Sequence, residues 1–302
     1  MEVGYVDPVP RAASLHLTLD YQAPYEWNAL LAFLSARAVE GVEAVVDGAY
    51  FRTVRAGTAQ GWLSVRPAKG CALSLEVAPS LGHGLAAVVA KVRRVFDIDA
   101  QPHAVDAHLS KDPRLALNVK RHPGLRVPGA FEPFETAVTA ILGQQVTLGA
   151  GIALAARLVK AFGDETRTPF PSLYRLWPTS VSVARSNEAS VAGLGMPSAR
   201  ARTVVLLARA LGSGALTFSP ATSWEHLRAE LLAIPGVGPW TAEYIVMRAG
   251  ACPDAFPVGD AALARVLGIA RKELTADVAD AWKPWRSYAT LHLWTEPARG
   301  RS

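Results

Sequence analysis

Strand-type alternation is confined to the first third of this chain, and that one-sided distribution limits the folds open to it. Ser14 to Asp20 (SLHLTLD) alternates apolar with polar residues, the period of a half-buried strand. Strand candidates recur at Gly41 to Val46, Ala49 to Arg55, Gly61 to Arg66 and Cys71 to Val77, separated by Gly, Asp and Pro. Helical spacing marks Glu26 to Val39 and again a stretch from about His83 to Phe96. Short punctuated connections join antiparallel strands, so residues 1–105 are predicted to form an α+β unit, an antiparallel sheet with two helices. From Asp112 onward the pattern is helical: Phe134 to Leu142, Gly149 to Phe162, Pro171 to Leu176, Asn187 to Ala192, Ser198 to Leu211, Trp224 to Ile234, Pro239 to Gly250, Ala261 to Gly268, and a long element from Thr275 through about Trp294. No repeat of fixed period is visible.

Composition narrows the chemistry. With 302 residues, half of them hydrophobic, the chain can bury a sizeable core. Only two cysteines, Cys71 and Cys252, are present, which excludes a disulfide scaffold and a four-cysteine zinc or iron–sulfur site within the chain. His83, His103, His108 and His122 are too scattered to suggest a metal site. Thirty-one basic against 26 acidic residues give a net charge of +5, compatible with a polyanionic partner but not diagnostic of one. No apolar run approaches a membrane span, and the start (MEVGYVDPVPRAA) lacks the features of a signal peptide, so a cytoplasmic protein without membrane contact is expected.

Ile234-Pro235-Gly236-Val237-Gly238 lies between two predicted helices. Two glycines around one apolar residue permit a tight turn with positive φ and leave amides unshielded. Pro239 then opens the next helix. Amides aimed along the positive end of a helix can hold a phosphate without any lysine. Taken alone, the segment reads better as an ordinary corner between helices.

The context adds Thr241-Ala242, Tyr244, and then Phe256-Pro257-Val258-Gly259-Asp260. Together these resemble the helix-hairpin-helix plus Gly/Pro-Asp signature of the DNA glycosylase superfamily. Trp282-Lys283-Pro284-Trp285-Arg286-Ser287-Tyr288-Ala289, followed by Leu291-His292-Leu293-Trp294, is similar to the 3-methyladenine DNA glycosylase II (AlkA) branch. So are Pro24 to Trp27, Phe33 to Ala38 and Ala140 to Val146. The resemblance spans roughly residues 16 to 297. It implies a small α+β domain followed by all-α helix-hairpin-helix glycosylase domains facing each other across a cleft. The division expected is 1–105, then 106–230 carrying a wedge turn, then 231–302 as the helix-hairpin-helix catalytic domain, with part of 97–115 packed on it.

Cleaving the bond between a base and deoxyribose produces an oxocarbenium-like sugar, which a fixed carboxylate stabilises. The resemblance assigns that role to Asp260, which by sequence also opens the helix Ala261 to Leu267 as an N-cap. Trp240 stands where strand-nicking members carry a lysine, so base removal by water and an abasic product are expected. The resemblance gives Trp240, Tyr244 and Trp294 to a base pocket, with Phe33 completing its wall. Electron-rich rings would stack on a positively charged N-alkylated purine of the 3-methyladenine or 7-methylguanine type. Such a base is already activated for departure, in keeping with the lack of an obvious second carboxylate or histidine partner for Asp260. Core packing is the competing reading of each ring, and it is retained for Trp282, Trp285 and Tyr288. Two departures, Thr295 and Ala261 in place of family aromatics, bear on the lesion range.

By the same resemblance, Gly236, Val237, Gly238 and Thr241 contact the DNA backbone. Gln145, with Gln144 beside it, wedges into double-stranded damaged DNA. No cofactor is required, although a monovalent cation, sodium or potassium, on the carbonyls of Leu232, Ile234 and Val237 is implied. A monomer without an iron–sulfur cluster is expected. The competing function is a non-catalytic DNA-binding or lesion-sensing protein on the same scaffold.

Overall fold

The computed structural model describes residues 14–219 and 221–295. The chain start read above, residues 1–13, and the last seven residues of the expected third domain lie outside the described residues. Five strands, β1 (Leu15–Asp20), β2 (Glu43–Val46), β3 (Ala49–Ala56), β4 (Ala59–Pro67) and β5 (Ala72–Val77), form one antiparallel sheet in the order β1-β5-β4-β3-β2. Asp47 and Gly48 join β2 to β3 with φ of 49° and 72°. A two-residue loop with both residues in the left-handed region matches the twist of paired strands.

Two helices cover the sheet, α1 (Trp27–Ser35) and α2 (Leu85–Val95). Leu30 and Leu34 of α1 and Val88, Val92 and Val95 of α2 share one core with Val54, Leu63, Val65 and Leu75 of the strands. Each such fully buried side chain stabilises the domain by roughly 2 kcal/mol. Helix α1 stops four residues short of the predicted Val39. The chain then turns, and Val39 and Val42 are buried in the second, helical core instead.

The remaining helices are α3 (Pro102–Leu109), α4 (Pro113–Arg121), α5 (Pro133–Leu142), α6 (Leu148–Phe162), α7 (Ser180–Ala184), α8 (Glu188–Ala192), α9 (Ser198–Ser213), α10 (Trp224–Leu232), α11 (Pro239–Arg248), α12 (Ala261–Leu267) and α13 (Arg286–Trp294). Proline in the first turn of α3, α4, α5 and α11 supplies a fixed φ where no N–H partner exists. One continuous apolar core runs from Val105 and Leu109 through α5, α6, α9 and α11 to Leu293.

The pair α3–α4 packs against the end of the chain. Trp282 Nε1 donates to Asp112 Oδ2 at 2.7 Å, Asn118 Nδ2 to the His292 carbonyl at 3.3 Å, and Arg114 Nη1 to the Val278 carbonyl at 3.2 Å. Trp282 is fully buried and Tyr288 nearly so, its hydroxyl donating to Asp97 at 2.8 Å; both are core residues. Trp285 is half-buried with its ring edge-on to Tyr288.

Two predicted helices differ. Residues 171–176 are not helical: Leu173 enters the core of the sheet domain, and the amides of Tyr174 and Arg175 both donate to the Gly41 carbonyl at 2.9 Å. The long element after Thr275 is a 3₁₀ segment, Ala276–Trp282, followed by α13. Pro284 separates them, since its ring cannot continue a helix.

Candidate active site

Asp260 sits where a tight turn meets a helix. Its N–H donates to the Pro257 carbonyl at 3.1 Å, and Gly259, at φ 69°, places its own N–H 3.0 Å from the Leu274 carbonyl. The carboxylate caps α12, with Oδ1 accepting from the amides of Ala262 at 2.9 Å and Leu263 at 2.8 Å. Two indoles complete its shell. Trp240 Nε1 donates to Oδ2 at 2.7 Å and Trp294 Nε1 to Oδ1 at 3.3 Å. Asp260 is 7 % exposed and meets four N–H donors, an arrangement matched to a carboxylate anion.

These residues line a cavity of about 770 Å³ between the sheet domain and the helices. Trp240 and Tyr244, four residues apart on α11, stack with centroids 5.4 Å apart and planes 17° apart. Trp294 at the end of α13 tilts toward Tyr244 at 6.1 Å. The three rings thus form one wall, with Asp260 and the exposed Ala261 at its edge. From the opposite side come Leu34, Thr139, Gly143 and Val146.

Phe33 is not on that wall. It lies behind it, under two guanidiniums, with Arg37 Cζ 3.6 Å and Arg248 Cζ 4.8 Å from its ring centroid. It lines a second hollow of about 380 Å³, which also holds Thr295. The resemblance had put Phe33 on the pocket wall; its neighbour Leu34 lines the cavity instead.

The hairpin and the wedge turn are bonded to each other. Gln144 Nε2 donates to the Gly236 carbonyl at 3.0 Å and to Thr241 Oγ1 at 2.9 Å. Thr241 is therefore a buried link, 3 % exposed, rather than an outward contact. Gln145 next to it is exposed and holds the left-handed φ of 53°. The two hairpin glycines differ from the expected pair. Gly236 has φ 92°, and a Cβ there would lie 2.0 Å from Thr203 Oγ1. Gly238 is extended at φ −91°, ψ 173°, and a Cβ there would meet nothing within 4 Å.

The sequence reading missed the charged groups of the cavity. Arg248 on α11 donates through Nη1 to Tyr244 Oη at 2.9 Å and through Nε and Nη2 to the carbonyls of Pro128 and Gly129. Two further carboxylates, Glu43 and Glu135, line the same cavity, but their partners are Arg52 and Tyr50 rather than Asp260. Arg52 bonds Glu135 Oε2 at 2.8 Å, tying β3 to α5, and burial still pushes the Glu135 carboxyl up to about 7. No local spacing links these residues, because they come from β2, β3 and α5. Among the described residues there is no cluster of three His, Cys, Asp or Glu able to hold a metal.

Residues 16–132 match the family model of the AlkA N-terminal domain. The chain is 36% identical to DNA-3-methyladenine glycosylase 2 of Escherichia coli over 279 residues, covering 92% of this chain and 96% of that one. It is 39% identical to a probable bifunctional transcriptional activator/DNA repair enzyme AlkA of Mycobacterium tuberculosis over 288 residues, 94% of this chain but 57% of the relative's length. Among solved structures, a 3-methyladenine DNA-glycosylase from Archaeoglobus fulgidus superposes with a TM-score of 0.79 at 19% identity, over 92% of this chain and 97% of that one.

Proposed function

Since the chain belongs to the family of DNA-3-methyladenine glycosylase 2 (AlkA), we propose that it is a base-excision glycosylase with Asp260 as its catalytic carboxylate. It would remove alkylated purines of the 3-methyladenine and 7-methylguanine type from double-stranded DNA. The observation that carries the reading is the shell of Asp260 at the edge of an aromatic cavity. A carboxylate offers about four acceptor positions. Oδ1 serves two amides and the Trp294 indole, whereas Oδ2 serves Trp240 alone. Oδ2 is the oxygen left to face C1′, where positive charge grows as the base departs. The stacked rings of Trp240 and Tyr244, with Trp294, suit a flipped, positively charged purine.

Water is the acceptor of the sugar in this reading, leaving an abasic site. The basic groups lining the cavity are the guanidiniums of Arg37, Arg248 and Arg265, none of them an amine able to form a Schiff base. The hairpin amides at Gly236 to Gly238 are proposed to hold a DNA phosphate, and Gln145 to fill the gap left by the flipped base. The carbonyls of Leu232, Ile234 and Val237 are the proposed seat of a monovalent cation; that of Ile234 accepts from the Val237 N–H at 3.0 Å and retains its second lone pair. Among the described residues no helix is long and apolar enough to cross a membrane.

Asp260→Asn tests the assignment. The amide oxygen can still cap α12, while the amide nitrogen meets the Trp240 N–H and carries no charge. Base release from methylated duplex should fall on the order of 10²–10³-fold with DNA binding retained. Near-normal turnover refutes the assignment, and borohydride trapping of wild-type protein on DNA refutes the hydrolytic route.

A further inference from the structure

We propose that the hydroxyl of Tyr244, and not only its ring, acts in catalysis: it donates its proton to an acceptor atom of the departing base, with Arg37 and Arg248 as positioning residues. The inference rests on the reading of the cavity as a base pocket and goes beyond it. Hydrogen-bond direction carries the argument. Tyr244 Oη accepts from Arg248 Nη1 at 2.9 Å, and the positive charge of Arg37 acts on the same phenol. A guanidinium donates only. The phenol therefore cannot give its own proton to either arginine, and among the described residues no other side chain or carbonyl accepts it. Tyr244 is 9 % exposed and lines the cavity, which leaves an occupant of that cavity as the acceptor in this proposal.

The guanidiniums are held firmly in this position. Arg248 is fixed by the Pro128 and Gly129 carbonyls, and Arg37 by the Phe33 carbonyl at 3.2 Å, while both lie against the Phe33 ring. This gives Phe33 a function behind the wall. Burial raises the pKa of the phenol, but Arg248 and Arg37 outweigh it and leave the group more acidic than an ordinary tyrosine. Along the aromatic wall the order is then Asp260, Trp240, Tyr244, Arg248. Negative charge sits at the sugar end and positive charge at the base end, the polarity that favours movement of an electron pair from sugar to base.

The step balances without a further reactant. The C1′–N bond breaks and its electron pair stays with the base. The Tyr244 proton passes to a base nitrogen or oxygen, and Arg37 and Arg248 stabilise the phenolate. Water adds to C1′, and its released proton returns to the phenolate through solvent. A base already carrying positive charge gains little from such a donor, and a neutral one gains much.

Single-turnover release of hypoxanthine, a neutral purine, and of 7-methylguanine from duplex DNA tests this, with wild type, Tyr244→Phe and Arg37→Met. Phenylalanine keeps the stacking ring. Tyr244→Phe should lose at least 10-fold on hypoxanthine and no more than about 2-fold on 7-methylguanine; Arg37→Met should shift the same ratio by about 3-fold. Equal losses on both bases in both variants, no loss on either, or a wild type inactive on hypoxanthine but active on 7-methylguanine each overturn the donor role. Wild type inactive on both bases overturns the glycosylase reading instead.

Discussion

Single residues in the hairpin separate what the fold needs from what a DNA partner would need. Gly236 is required by the protein, because positive φ and the approach of Thr203 leave no space for a Cβ. Gly236→Ala should cost about 2 kcal/mol or more in thermal unfolding. Gly238 has ordinary backbone angles and open surroundings, so nothing inside the molecule asks for glycine there. Gly238→Val should leave stability within about 0.5 kcal/mol, yet weaken binding to damaged and undamaged duplex alike, since phosphate contacts carry no base information. Titration of both duplexes against both variants would show this, and unchanged affinity in Gly238→Val would remove the hairpin from the docking surface. The two glycines look equivalent in sequence, and only Thr203, from a helix some thirty residues upstream, distinguishes them.

At the level of elements, α13 carries an unusual tension. Trp294 at its end serves Asp260, while His292 two residues earlier is fully buried with neither ring nitrogen bonded, and burial pulls its pKa down to about 4. The folded state thus binds the proton less readily than the unfolded chain, whose histidines titrate near 6.5. The neutral ring's contribution is complete above about pH 6.5 and is lost progressively as pH falls toward 4, up to about 3 kcal/mol in all. His292→Leu should flatten the fall of melting temperature between pH 6.5 and 4 relative to wild type; parallel curves would show that His292 is not the titrating group.

Sequence legibility also divides by element. Strand β1 was readable because its two faces differ, with Leu15, Leu17 and Leu19 more covered than the residues between them, whereas β3 and β4, buried on both faces over much of their length, were marked by short apolar runs between turn residues. The capping position of Asp260 was readable because its turn and its helix are contiguous. Residues 171–176 misled because Leu173 and Leu176 have helical spacing, yet their partner is Gly41, far off in sequence. Helix α4 lay within a stretch read only as generally helical and α3 before it, where no element was assigned, although Pro102 and the Asp112-Pro113 cap marked their starts. Arg37, Arg248 and Glu135 gave no signal, because a charge on a helix face says nothing of whether that face meets water or a cavity.

For the whole molecule the central fact is that the hairpin and the wedge turn, on α10–α11 and α5–α6, are joined by Gln144 and share one core. Gln145 is held out from this junction in a backbone conformation that costs a non-glycine residue about 1 kcal/mol. Gln145→Gly should relieve that strain and leave melting temperature unchanged or raised. It should still slow base release from a fully paired site more than from a mismatched one, where less stacking is lost. Equal slowing at both sites would deny Gln145 the wedge role.

The continuous core has a mechanical consequence. The helices that line the cavity, α5, α6, α11, α12 and α13, pack into the same apolar interior, so parting them like a jaw would mean breaking that interior. On the proposed reading, the deformation needed to bring a base into the cavity would fall on the nucleic acid. The duplex would have to bend to meet a stiff protein, and the work of bending depends on local sequence and on how far a lesion has softened the stack. A stiff surface of this kind would sort DNA by pliability before any atom of the damaged base is touched.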